Sequence, residues 1–198
     1  MEKKICVYSA SSCAVDDVFF ETARELGREM ARRGFKLIYG GGLVGLMGAV
    51  AKGVHEFGGT VIGVIPEALN LKGIVYDLAD QLIVTKGMRE RKAVMDELSD
   101  AFIALPGGFG TLEEILEIIT LKQLRYHNKP IVIMNIEGYY DPLLAQFDRS
   151  IEKHFAKAEC EKLYRIAYSV DEALSYIDNY EPVEIGTKWL TEVKEIKS

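Results

Sequence analysis

Ala101-Phe-Ile-Ala-Leu-Pro-Gly-Gly-Phe-Gly-Thr-Leu-Glu-Glu114 changes character twice within a short span. An apolar run of strand length stops at Pro106, three glycines follow (Gly107, Gly108, Gly110), and a helical pattern starts at Thr111 with two carboxylates in its first turn. A buried strand that passes through a glycine turn into a helix leaves the first helical N–H groups unpaired and aimed at one place. Such a place binds anions, phosphate above all. Two readings of Glu114 stay open at this level. Thr111-x-x-Glu114 fits a capping box, Thr as N-cap and Glu at N3, which requires no ligand. Alternatively, Glu114 acts on a ligand held by the glycine turn. The box explains the Thr and the Glu but not the glycines.

Outward from this stretch, strand-length apolar runs alternate with helical patterns. Strands are expected at Lys4–Ser9, Lys36–Tyr39, Thr60–Ile65, Gln81–Thr85, Ala101–Leu105, Pro130–Asn135 and Tyr164–Tyr168. Helices are expected at Asp16–Arg33, Gly45–Phe57, Met88–Leu98, Thr111–His127, Tyr140–His154 and Val170–Asn179. The runs Val61–Ile65, Ala101–Leu105 and Ile131–Met134 are apolar without alternation, as strands covered on both faces are. The fold class is therefore α/β, a single-domain Rossmann-like, doubly wound parallel sheet with helices on both faces. The domain is expected to span residues 1–180, with a polar C-terminal tail at 181–198 that contains Trp189. In such folds ligands bind beyond the carboxyl ends of the strands, where the strand order reverses. Three small-residue turns fall at those ends: Ser9–Ser12, Gly40–Gly48 and Pro106–Thr111. The loop Pro66–Asp80 is long for this architecture and reads as a flap over the site.

The bulk numbers narrow the class. With 198 residues, 48% hydrophobic and 27% charged, the chain suits one compact globular unit. A net charge of −6 argues against general nucleic-acid binding but not against a small anionic ligand, which local dipoles and a few cations decide. Cys6, Cys13 and Cys160 form neither a disulfide framework nor a metal pair, and His55, His127 and His154 lack ligand spacing. No metal is expected. No signal-peptide stretch or membrane-length apolar span is seen, so a cytoplasmic protein away from the membrane is expected.

Two further constellations carry chemistry. Gly40-Gly-Gly-Leu-Val-Gly-Leu-Met-Gly48 contains the Gly-x-Gly-x-x-Gly spacing of dinucleotide sites, with Glu67 at the end of the next strand. It sits on the second strand–helix unit, where that fingerprint normally marks the first. Close helix–strand packing and approach of a nucleotide or sugar phosphate to bare backbone are the competing readings, and no Walker lysine follows. Gly87-Met-Arg-Glu-Arg-Lys92 puts Arg89, Arg91 and Lys92 in a first helical turn, where the macrodipole disfavours each cation. Arg91 is the inward candidate, and its planar fork suits phosphate. Farther on, Leu112, Ile115, Leu116, Ile118 and Ile119 cover one arc of a helix while Leu121 and Leu124 project elsewhere. That two-sided pattern predicts a second buried surface, most simply a homodimer contact.

Gly40-Gly-Gly-x-x-Gly-x-Met-Gly48, Met88-x-x-Arg-Lys92 and Pro106-Gly-Gly-x-Gly-Thr-x-x-Glu114, in this order and spacing, resemble the LOG (Lonely guy) family. Glu137-Gly-Tyr-Tyr140 and Ser169-Val-Asp-Glu172 look like its closing segments, so the likeness runs from about Lys4 to Tyr180. Members are cytokinin riboside 5′-monophosphate phosphoribohydrolases, often mislabelled lysine decarboxylases. Nothing in this sequence marks a pyridoxal-phosphate lysine with its partners. The resemblance implies an AMP nucleosidase-like hydrolase that splits a nucleoside 5′-monophosphate into free base and ribose 5-phosphate, without a cofactor and typically as a dimer. Carried over by position, Arg91 and Glu114 are the catalytic pair. Ser11, Gly41, Gly42, Gly45, Met88, Lys92, Pro106, Gly107, Gly108, Phe109, Gly110, Thr111, Leu112, Glu113 and Thr120 would bind substrate. Two departures stand out. Ala10 replaces the usual Gly before Ser11 and Ser12, and Asn70–Asp80 lacks the carboxylate expected near Gly73. The rival class is a non-catalytic carrier of a nucleotide or of molybdenum cofactor, which some relatives of this fold bind. A pure carrier of a phosphorylated ligand gains nothing from a carboxylate such as Glu114, so the joint presence of Arg91 and Glu114 favours the hydrolase.

Overall fold

The computed structural model describes residues 2–186; Trp189 and the rest of the expected tail lie outside the described residues. Seven parallel strands form one sheet: β1 (Lys4–Tyr8), β2 (Lys36–Tyr39), β3 (Val61–Pro66), β4 (Gln81–Thr85), β5 (Ala101–Ala104), β6 (Ile131–Met134) and β7 (Arg165–Ala167). Their order is β4-β3-β2-β1-β5-β6-β7. The chain builds outward from β1 to one edge, then returns to β1's other side and builds from β5 to the opposite edge. The reversal lies between β1 and β5, which pair from Ile5↔Ala101 to Tyr8↔Ala104. The Rossmann-like expectation is met, and each expected strand is present to within about two residues.

Period-2 alternation sorts the buried strand residues onto two faces. Ile5, Val7, Leu37 and Tyr39 pack with helices α1 (Asp17–Arg32), α2 (Gly45–Glu56) and α6 (Val170–Asp178). Cys6, Tyr8, Ile38 and Phe102 pack with α3 (Met88–Leu98), α4 (Phe109–Gln123) and α5 (Asp141–Glu152). Both faces are covered, which is why these strands read as unbroken apolar runs.

Helix α4 departs from the sequence reading at both ends. Gly108 is its N-cap, and Leu112 N–H donates to Gly108 O at 3.0 Å, so the helix begins at Phe109 rather than Thr111. The Thr111–Glu114 capping box does not form, because Thr111 is already inside the first turn. At the far end α4 stops at Gln123, not His127. Arg125 adopts φ 67, Tyr126 N–H bonds Leu121 O at 3.0 Å and Arg125 N–H bonds Lys122 O at 2.9 Å. This is a Schellman closure made without the usual glycine, which hides it from sequence reading.

The β3–β4 crossover, Glu67–Asp80, carries only a short 3₁₀ turn at Glu67–Leu69. It is pinned to the Gly40–Gly45 turn by Leu43 N–H to Ile74 O (2.8 Å) and Tyr76 N–H to Gly41 O (2.9 Å). At its return, His55 bridges the Tyr76 hydroxyl and Asp80, whose Oδ2 also accepts from Val61 N–H at 2.8 Å. That histidine is structural.

Candidate active site

A cleft of about 570 Å³ opens at the carboxyl ends of β1, β2, β3 and β5, beside the β1/β5 reversal. This is an ordinary size for a small-molecule site. The N-termini of α2, α3 and α4 lie near it, and those of α2 and α4 differ. The first amides of α2 are already used: Leu46 and Met47 N–H both donate to Ala10 O, at 2.9 and 3.3 Å. Gly45 (φ +64) lies so close to Ser11 that any Cβ would strike its backbone, and a Cβ at Gly48 would strike Leu43 O. Packing therefore accounts for Gly45 and Gly48, and the dinucleotide spacing here is architectural: the helix end that would meet a pyrophosphate is closed by protein.

The α4 end is different. Phe109, Gly110 and Thr111 stand in its first turn, where no intrahelical acceptor exists. Gly107 is needed internally, since a Cβ there would run into the Thr111 side chain. Gly108 and Gly110 are not: both have negative φ, and a Cβ on either would meet no atom within 4 Å. Nothing inside the chain requires glycine at those two positions, whereas close approach of a ligand to bare backbone does.

Arg91 and Glu114 face this turn from α3 and α4. Both are buried, at 9% and 7% exposure, and Arg91 Nη2 lies 3.4 Å from Glu114 Oε1. Arg91 Nε donates to Val64 O at 3.1 Å, which fixes the guanidinium over the end of β3. Its path crosses Gly40, where a Cβ would collide with Nη2. Burial pushes the Glu114 carboxyl up to about 7; Arg91 opposes the rise, Glu113 adds to it, Lys92 opposes and Glu117 adds. The site thus holds a carboxyl poised between its two charge states near neutrality.

Ser11, Gly42, Met88, Gly108, Phe109, Gly110, Thr111 and Glu113 line the cleft with this pair. Pro106, Gly107 and Gly41 form the turns behind its wall, and Leu112 packs into the core under α4. Two expected neighbours point elsewhere. Lys92 turns to the outer face, where its Nζ pairs with Glu113 and lies 2.7 Å from Glu117. Thr120 is exposed more than two turns along α4, with its hydroxyl bonded to Leu116 O at 2.7 Å. Sequence reasoning missed the apolar wall of Val44, Leu69 and Ile74, which line the cleft yet are 38–43% exposed. For Leu69 and Ile74 the available signal was the recurrence of aliphatic residues (Leu69, Leu71, Ile74, Val75) in a loop otherwise rich in polar and small ones.

A family model described as "Possible lysine decarboxylase" matches residues 47–177. The rice protein "Cytokinin riboside 5'-monophosphate phosphoribohydrolase LOG" (Oryza sativa subsp. japonica) is 41% identical over 188 residues, 94% of this chain and 78% of its own length. The Arabidopsis thaliana "Cytokinin riboside 5'-monophosphate phosphoribohydrolase LOG5" is 40% identical over 97% of this chain and 86% of its own. The chain belongs to the LOG family.

Among solved structures, the molybdenum cofactor binding protein of Rippkaea orientalis superposes with a TM-score of 0.70 at 25% identity, covering 90% of this chain and 96% of that one. The decarboxylase wording of the family model finds no support in the LOG-family cleft. No lysine lines it among the described residues, so it offers no amine to hold pyridoxal phosphate as a Schiff base. Among the described residues no three His, Cys, Asp or Glu side chains gather as a metal site, and no helix is long and apolar enough to cross a membrane.

Proposed function

We propose that this protein is a phosphoribohydrolase that cleaves the N-glycosidic bond of a cytokinin riboside 5′-monophosphate or AMP, giving the free base and ribose 5-phosphate. The observation that carries the reading is the buried Arg91–Glu114 pair facing the open first turn of α4, whose glycines Gly108 and Gly110 have no internal reason to be glycine. The 5′-phosphate docks on the amides of Gly108 to Thr111. Binding at that remote group orients the ribose and lowers the barrier at C1′. As the bond to the base lengthens, its electron pair leaves with the base and C1′ gains oxocarbenium character. Glu114, as the carboxylate, stabilises that charge and orients the water that adds to C1′; the water's proton ends on the departing base. Arg91 favours the charged form of Glu114 against its burial and clamps phosphate or ribose. The apolar wall of Val44, Leu69 and Ile74 suits a base carrying an aliphatic substituent.

Incubation with AMP and with N6-isopentenyl-AMP, followed by chromatography, tests the reaction. Base and ribose 5-phosphate should appear in equal amounts. The structural likeness to a molybdenum cofactor binding protein supports one other reading, a carrier. Tight ligand binding with no base release would select it.

The same reading makes the protein a cytoplasmic homodimer whose domain is residues 1–180. Leu116 on α4 and Leu124 at its C-cap are 37% and 42% exposed and offer the apolar contact, whereas Leu121, expected to project outward, packs against the core instead. Sedimentation at micromolar concentration should give about twice the 22.2 kDa chain mass. A single species at the chain mass would refute the dimer.

A further inference from the structure

The segment Asn135–Asp141 takes no part in the chemistry above, yet it reaches the glycine turn. After β6 the chain passes through Glu137 (φ 52) and Gly138 (φ 69), two successive left-handed residues, the first an uncommon place for a non-glycine. Asn135, 3% exposed, holds the reversal: its Oδ1 accepts from Tyr140 N–H at 2.8 Å and its Nδ2 donates to Asp141 Oδ1 at 2.7 Å. The reversal sets the Tyr139 and Tyr140 rings edge-to-face, centroids 5.0 Å apart, with both hydroxyls directed at the turn after β5. Tyr140 donates to Leu105 O at 2.7 Å and Tyr139 to Gly107 O at 2.6 Å, while Ala10 N–H donates to the intervening Pro106 O at 3.3 Å. Three consecutive carbonyls are thereby held from outside.

The Gly107–Gly108 peptide needs such a hold. It lies between two residues without Cβ atoms, so side-chain sterics do not select which way its plane faces. In a trans peptide the N–H points opposite to the C=O, and the described residues contain no cis peptide. Fixing Gly107 C=O on Tyr139 therefore fixes Gly108 N–H on the other side, and Gly108 lines the cleft whereas Tyr139 does not. We propose that Tyr139 is a positioning residue that aims the Gly108 amide at the substrate's phosphate, so that phosphate recognition depends on a hydroxyl that never touches the ligand. The proposal rests on the phosphate-binding role given to this turn above.

Tyr139→Phe removes only the hydroxyl and keeps the ring contacts with Tyr140 and with Phe19, whose centroid is 6.1 Å away. Tyr140→Phe is the internal control. It frees the Leu105 carbonyl, but the next residue is Pro106, so that peptide has no N–H to misdirect. Calorimetric titration with ribose 5-phosphate and with adenosine reads the effect without turnover, alongside kcat/KM for AMP. Tyr139→Phe should weaken ribose 5-phosphate binding and lower kcat/KM for AMP by roughly tenfold, the scale of one lost hydrogen bond, and leave adenosine binding unchanged. Tyr140→Phe should leave the ratio of the two affinities as in wild type. Equal weakening of both ligands by Tyr139→Phe would reduce Tyr139 to a structural residue and overturn the proposal. So would unchanged ribose 5-phosphate binding in a variant whose wild type hydrolyses AMP, and there the hydrolase reading would survive. A wild type that neither binds ribose 5-phosphate nor hydrolyses AMP overturns both.

Discussion

Glu114→Gln is expected to lower kcat/KM for the nucleoside 5′-monophosphate by about 10²–10³, the usual effect of losing one preorganised electrostatic partner of a transition state. The amide keeps the size and the polar atoms but carries no charge to set against the oxocarbenium ion. The wild-type pH profile should rise through about pH 7, where the buried carboxyl ionises, and the Gln profile should be flat there. Stability should move the other way. The Glu114 carboxyl titrates near 7 in the folded chain against an ordinary 4.5, so between those values the folded state binds the additional proton and stability declines as pH rises. Gln does not titrate. Above pH 7 the variant should be the more stable protein, by up to about 3 kcal/mol, with the difference vanishing below pH 4.5. Thermal or urea unfolding at pH 5 and pH 8 reads this directly. Wild-type turnover by Glu114→Gln would remove Glu114 from the chemistry.

The site was only partly legible in the sequence. Apolar runs without alternation announced covered strands, because burial on both faces leaves no polar positions in the pattern. Three small-residue turns at strand ends announced where a ligand would bind. Interactions between distant segments were not announced. Thr111 and Glu114 have capping-box spacing, but Gly108 takes the cap three residues earlier, and Glu114 is left facing Arg91 instead of its own backbone. The Gly40–Gly48 spacing fits two explanations, and only the Ala10 carbonyl seated on the α2 amides separates them. Lys92 and Arg91 are adjacent in sequence, yet the rotation of a helix sends one to the Glu113–Glu117 surface and the other over Gly40 into the cleft. The Tyr139 hydroxyl bond to Gly107 spans 32 positions and leaves no local trace.

Arg91→Ala probes the other half of the pair, and its signature differs from that of Glu114→Gln. Loss of the guanidinium should cost about 10² in kcat/KM at pH 8, since one charged partner of the reacting sugar phosphate is gone. Arg91 is also the largest of the influences that lower the Glu114 pKa against its burial. Without it the carboxyl should ionise above pH 7, so the acid limb of the rate profile should shift to higher pH and the loss at pH 6 should exceed that at pH 8. The fold should survive. A buried carboxylate stripped of its cation is strongly destabilising only if it must stay charged, and Glu114 can take up a proton instead. Arg91→Lys should rescue little, because the Nε bond to Val64 O and the planar fork are both lost with the guanidinium. The Arg91→Ala, Glu114→Gln double variant should be little worse than the poorer single one, since groups that act as a unit do not add. An acid limb that stays at pH 7 in Arg91→Ala would mean that something other than this guanidinium sets the charge on Glu114. Full additivity in the double variant would mean that the two side chains work on separate steps.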